Sequence, residues 1–142
     1  MDAIALTQQL VQFDTRNPPG QEAACARFLA DILRDAGFTV TPHDFAEGRT
    51  SLIARGAGAS NRAPLCLSAH LDTVPLGEAA WERDPLAGTI EGDRLYGRGA
   101  SDMKSGLAAM VSAACAFGPH PDLCLVLTAG EENGCEGARF LA

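Results

Sequence analysis

The 142-residue sequence predicts an α/β fold. Three observations carry that expectation: helical apolar periodicity near the N-terminus, two short and nearly continuous apolar runs, and an alanine-rich helical segment before the second run. Runs of that kind suit strands buried on both faces of a sheet covered by helices. Composition agrees, at 46% hydrophobic and 20% charged, which is too apolar for disorder. At roughly 150 residues per domain, length alone predicts one domain.

Residues 2–13 read as a first helix, with Asp2 as its cap and Ala3, Leu6, Leu10 and Phe13 along one stripe. The stretch DTRNPPG, Asp14 to Gly20, is a turn signal. A second helix follows, in which Cys25, Phe28, Leu29, Ile32 and Leu33 fall at helical spacing and Gly37 is the stop. Phe38 to Asp44 and Ser51 to Arg55 are strand candidates, and Gly56 to Ala63 is a polar loop. The two apolar runs are Pro64 to Ala69 and Leu123 to Thr128. Between them, Thr89 to Tyr96 predicts a hairpin turning at Gly92-Asp93, and Lys104 to Phe117 predicts a helix. Gly134 to Ala142 begins a last helix.

Several function classes are excluded. The net charge is −7, and an acidic surface repels phosphate backbones, so no nucleic-acid partner is expected. No apolar stretch nears the roughly 20 residues of a membrane span, so no membrane partner is expected. The N-terminus lacks a basic lead and a small-residue cleavage site, so a signal peptide is not expected. Five cysteines without C-x-x-C spacing argue against a disulfide framework or a zinc knuckle. Cys66 and Cys124 lie in apolar runs and are expected in the core. A reducing cytoplasm is the expected location.

Ligands of open α/β sheets bind beyond the carboxyl ends of strands. Three polar clusters follow strand candidates: His70-Leu71-Asp72, Gly97 to Asp102, and Glu131-Glu132. Each has an ordinary reading when taken alone, as a strand-end histidine, a turn aspartate or a solvated helix start. Phosphate binding fails, because Asp102 stands where a dinucleotide fingerprint needs glycine and Arg98 and Met103 occupy the glycine positions of a phosphate loop. Together, one histidine and several carboxylates form an N/O donor set for Zn²⁺ or a similar ion. Asp102 has two oxygens with which to bridge a metal pair. Of two adjacent glutamates, one can bind metal while the other accepts a proton.

SAHLDTVP (Ser68 to Pro75), GRGASDMKSG (Gly97 to Gly106) and TAGEENG (Thr128 to Gly134) occur in this order. They closely resemble the acetylornithine deacetylase / succinyl-diaminopimelate desuccinylase family of two-zinc metallohydrolases, which also includes aminoacylases, carboxypeptidases and dipeptidases. DTRNPPG resembles that family's early loop near the active site. The resemblance implies a zinc-exopeptidase-like catalytic domain with a mixed sheet flanked by helices. Residues 1–142 would be its incomplete N-terminal portion, without the lid domain and the C-terminal part.

The resemblance also implies roles. His70, Asp102 and Glu132 would be metal ligands, Asp102 bridging two ions, and the peptide after Asp102 would be cis. Asp72 would support the histidine, and Glu131 would be the general base. The ions would be zinc, with cobalt possible. The implied reaction is hydrolysis of the amide bond of an N-acyl amino acid through a metal-bridging water. The alternative within the family is a metallo-carboxypeptidase or dipeptidase acting on short peptides. An alternative of another class is a catalytically silent fragment or interaction module, because the family supplies a further carboxylate and a late histidine downstream. A full-length relative would be a homodimer joined through its lid. Lys104-Ser105-Gly106 departs slightly from the family's usual Lys-Gly-Gly.

Overall fold

A computed structural model describes residues 2–142. Helix α1 spans Ala3–Val11, and its cap is the expected one, since the Asp2 carboxylate accepts the Ile4 N–H at 3.0 Å. Helix α2 spans Ala23–Asp35 and ends before Gly37, whose φ of +91° suits glycine. Strands β1 (Thr39–Ala46) and β2 (Arg49–Arg55) form an antiparallel hairpin. Strand β3 covers Leu65–His70, and the small hairpin pairs β4 (Thr89–Glu91) with β5 (Arg94–Tyr96). Helix α3 (Ser105–Phe117) leads to strand β6 (Leu123–Thr128) and helix α4 (Glu136–Leu141).

The main sheet is mixed, with order β1-β2-β6-β3. β6 runs antiparallel to β2 and parallel to β3. Leu6 and Leu10 of α1, Leu29 and Leu33 of α2, and Leu107 and Val111 of α3 pack with Leu52, Ala69, Leu125 and Leu127 of the sheet in one core. Burial of those leucines stabilises by roughly 1.5–3 kcal/mol each. No helix among the described residues is long and apolar enough to cross a membrane.

Two expectations need correction. β6 is buried almost throughout, but β3 is not: Leu65 is 66% exposed and Cys66 and Ser68 are exposed. β3 lies at the sheet edge and pairs only with β6 among the described residues, so apolar composition alone does not enclose it. Cys66 is therefore not a core residue, whereas its partner in register, Cys124, is buried. All five cysteines are free.

Candidate metal centre

Parallel pairing of β3 with β6 sets His70 opposite Thr128 at the carboxyl ends of both strands. The residues that follow each strand leave the sheet at one edge, so Asp72 meets Glu132 across 60 positions of sequence. The third cluster arrives from the side. Gly99 has φ +77°, and a Cβ there would collide with Thr73, so only glycine permits this approach. It brings Asp102, in extended backbone at φ −122° and ψ 101°, beside His70. The Asp102–Met103 peptide is cis.

His70, Asp72, Asp102, Glu131 and Glu132 thus converge. His70 Nε2 lies 3.1 Å from Asp102 Oδ1 and 3.9 Å from Glu131 Oε2. One donor atom each from His70, Glu131 and Glu132 fall within 4.8 Å of one another. On its other side the imidazole Nδ1 is 2.9 Å from the main-chain oxygen of Asp72 and 3.6 Å from its carboxylate. With Nδ1–H donating to that oxygen, it is Nε2 that faces the carboxylates. The Asp72 carboxylate, fully buried, accepts instead from the Glu131 N–H (3.0 Å), the Glu132 N–H (3.1 Å) and Asn17 Nδ2 (2.9 Å).

The electrostatics suit a cation. Burial raises the Glu132 carboxyl above its ordinary value, and Asp102, Glu131 and Asp72 add to the rise while His70 opposes it. Burial works against the His70 imidazolium, but hydrogen bonds to Asp72 and Asp102 outweigh it and raise the pKa to about 9. Burial would raise Asp72, yet the nearby His70 imidazole and the hydrogen bonds from Asn17 and the two glutamate N–H groups hold it at about 2. One imidazole nitrogen among several carboxylate oxygens fits a divalent ion of borderline hardness such as Zn²⁺, whose charge would relieve the repulsion.

Other residues around the centre escaped the sequence reading. Asn17 is 55 positions from Asp72, and its only local signal is a turn. Lys104 is 1% exposed, and its Nζ donates to Phe13 O at 2.8 Å; burial lowers its pKa to about 8. Arg49 joins buried Glu22 through two bonds of 2.7 and 3.1 Å and reaches Glu136 at 3.1 Å. Gly130, at φ +74°, sits where a Cβ would come within 2.7 Å of Arg49 Nη2, so this guanidinium lies against the loop that carries Glu131.

The chain is similar in sequence and in fold to known proteins. Residues 66–142, more than half of the chain, match the model of peptidase family M20/M25/M40. Among curated relatives, the succinyl-diaminopimelate desuccinylase of Granulibacter bethesdensis is 36% identical over 133 residues, which cover 94% of this chain and 34% of that protein. The enzyme of the same name from Cereibacter sphaeroides is 42% identical over 139 residues, or 94% and 36% of the two chains. The chain therefore spans about a third of the length of the curated relatives it matches. Human carnosine dipeptidase 1 shares the fold, with TM-score 0.78 and 22% identity over 98% of this chain and 34% of that one. An M20 family metallo-carboxypeptidase from Sulfolobus solfataricus does so with TM-score 0.77 and 23% identity over 93% and 32%. The matched segment carries His70, Asp102 and the Glu131-Glu132 pair, and the chain belongs to peptidase family M20/M25/M40.

Proposed function

We propose that this chain is the N-terminal part of the catalytic domain of a metal-dependent hydrolase that cleaves the amide bond of an N-acyl amino acid. The observation that carries the proposal is the convergence of His70, Glu131 and Glu132 donor atoms within 4.8 Å, with Asp102 at 3.1 Å from the imidazole. His70, Asp102 and Glu132 would hold two divalent ions, zinc by the donor set, with Asp102 between them. Bound there, the ions supply Lewis acidity toward an amide carbonyl and toward water.

The protein's own residues do the rest. Asp72 O keeps Nδ1–H in place, so that Nε2 serves as the donor. Glu131, at 46% side-chain exposure, reaches solvent and acts as general base. It takes a proton from the attacking water and delivers it to the leaving amine nitrogen.

The desuccinylase relatives support an N-acyl amino acid as substrate. A carboxypeptidase or dipeptidase activity on short peptides is the second reading, favoured by the metallo-carboxypeptidase and dipeptidase of like fold. A homodimer formed through a lid domain and a cytoplasmic location belong to the same proposal, and five free cysteines suit a reducing compartment. The deciding experiment assays the full-length gene product that carries this chain, loaded with Zn²⁺ or Co²⁺, on N-succinyl and N-acetyl amino acids and on dipeptides. Turnover of the acyl amino acids supports the proposal, and preference for dipeptides supports the second reading. Absence of all turnover in the metal-loaded protein leaves a silent interaction module as the answer.

A further inference from the structure

The Asp14–Gly20 turn is tied into the metal centre by hydrogen bonds that the proposed mechanism does not use. Thr73 N–H donates to Thr15 O at 3.0 Å, Asn17 N–H to Thr73 O at 2.8 Å, and Thr15 Oγ1 to Leu71 O at 2.8 Å. The turn thus lies along residues 71–73 like a short parallel strand, with Arg16 bridged to Thr73. Asn17 is 3% exposed, and its Nδ2 donates to Asp72 Oδ2 at 2.9 Å.

A carboxylate only accepts, so the Asn17 amide must present its NH₂ to Asp72. That orientation leaves Asn17 Oδ1 buried without a partner. An unsatisfied buried oxygen is a cost that an apolar side chain would avoid, so its presence points to a need for the donated bond. Two other acceptor positions of Asp72 hold the main chain of Glu131 and Glu132. Rotation of this carboxylate would displace both glutamates. Among the described residues, Asn17 supplies the one side-chain N–H that donates to it within hydrogen-bond distance. Beyond the turn, fully buried Glu22 binds Arg49, and Arg49 binds Glu136 just after the glutamate pair, so a second route joins the turn to the same loop.

We propose that Asn17 is a positioning residue of the metal centre: by fixing the Asp72 carboxylate it sets where the Glu131-Glu132 main chain, and so their carboxylates, stand relative to His70. The inference rests on the reading of this cluster as a metal site.

The test is a Co²⁺ titration of the full-length protein that carries this chain. It is followed by the metal's visible absorption and by competition with a chromophoric chelator, for the parent sequence, Asn17→Ala, Asn17→Asp and Asn17→Leu. Urea midpoints are measured alongside. Asn17→Ala should weaken Co²⁺ binding about 10–100-fold and alter the absorption bands. Asn17→Asp should weaken it further despite its matching shape, because it sets a second carboxylate against Asp72. Asn17→Leu fills the space without donating, so it should lower the urea midpoint less than Asn17→Ala does and still lose as much affinity. Undiminished affinity in the variants, or Asn17→Asp binding better than Asn17→Ala, would overturn the positioning role alone. A full-length parent protein that binds no Co²⁺ would overturn the metal-site reading and this inference with it.

Discussion

The carboxylate of Asp72 accepts the main-chain N–H of Glu132 at 3.1 Å, 60 residues away in sequence. The same carboxylate accepts the Glu131 N–H, so one buried side chain sets the main-chain positions of both glutamates. Asp72 holds the imidazole from the other side through its main-chain oxygen. One residue therefore couples the histidine strand to the glutamate loop.

Asp72→Asn should destabilise the chain. An amide offers one acceptor oxygen where the carboxylate offers two, so at least one of the donors from Asn17, Glu131 and Glu132 loses its partner. The expected loss is about 1–3 kcal/mol, read as a lower urea midpoint at neutral pH. An unchanged midpoint would contradict it.

In metal-stripped protein the His70 pKa stands at about 9, above its ordinary 6.5. A raised pKa means that the charged imidazole adds stability below about pH 6.5 and that this is lost as pH rises through 9. Stability should fall across that window, and His70→Gln should remove the fall. Zn²⁺ requires the neutral ring, so its affinity should rise by up to about tenfold per pH unit between 6.5 and 9, with proton release seen by calorimetry in two buffers. Affinity independent of pH would oppose this. Asp72 has the opposite sign: held at about 2, it contributes stability above about pH 4 that is lost as pH falls toward 2.

Glu131 and Glu132 should separate by function. In the full-length protein, Glu131→Ala should abolish turnover with metal content nearly intact, because it removes the proton acceptor. Glu132→Ala should lose metal, measured by elemental analysis after gel filtration. Equal metal loss in both variants would refute the division.

Arg49→Met should unfold or strongly weaken the chain. It leaves Glu22, which has no exposed surface, without its cation, and removes the bond to Glu136. The expected cost is about 3–5 kcal/mol, with the double variant Glu22→Gln/Arg49→Met recovering part of it. Thermal or urea unfolding of the parent and the two variants measures the difference. A single variant as stable as the parent would show that the pair contributes nothing.

Local features of the fold were legible in the sequence because their causes are local. Asp2 caps α1 through its own neighbour, Gly37 ends α2 by its dihedral, and Gly92 turns the β4–β5 hairpin at φ +61°. The core faces of α1 and α2 followed from helical spacing, since Leu6, Leu10, Leu29 and Leu33 all lie in the core. Cys66 did not follow, because an apolar strand reads the same at a sheet edge and at its centre. Asn17 and Arg49 did not follow either, because each acts on a partner far along the chain.

By itself, then, the sequence determined the element types, the α/β class and the residues able to supply a metal site, all of which depend on side-chain chemistry and near-neighbour spacing. The tertiary structure alone decided that β3 and β6 pair in parallel register, that Asp72 grips the glutamate main chain, and that Asn17 and Arg49 brace the same loop. Those outcomes depend on strand order and burial, which bring distant residues to hydrogen-bonding distance and leave no trace in local pattern.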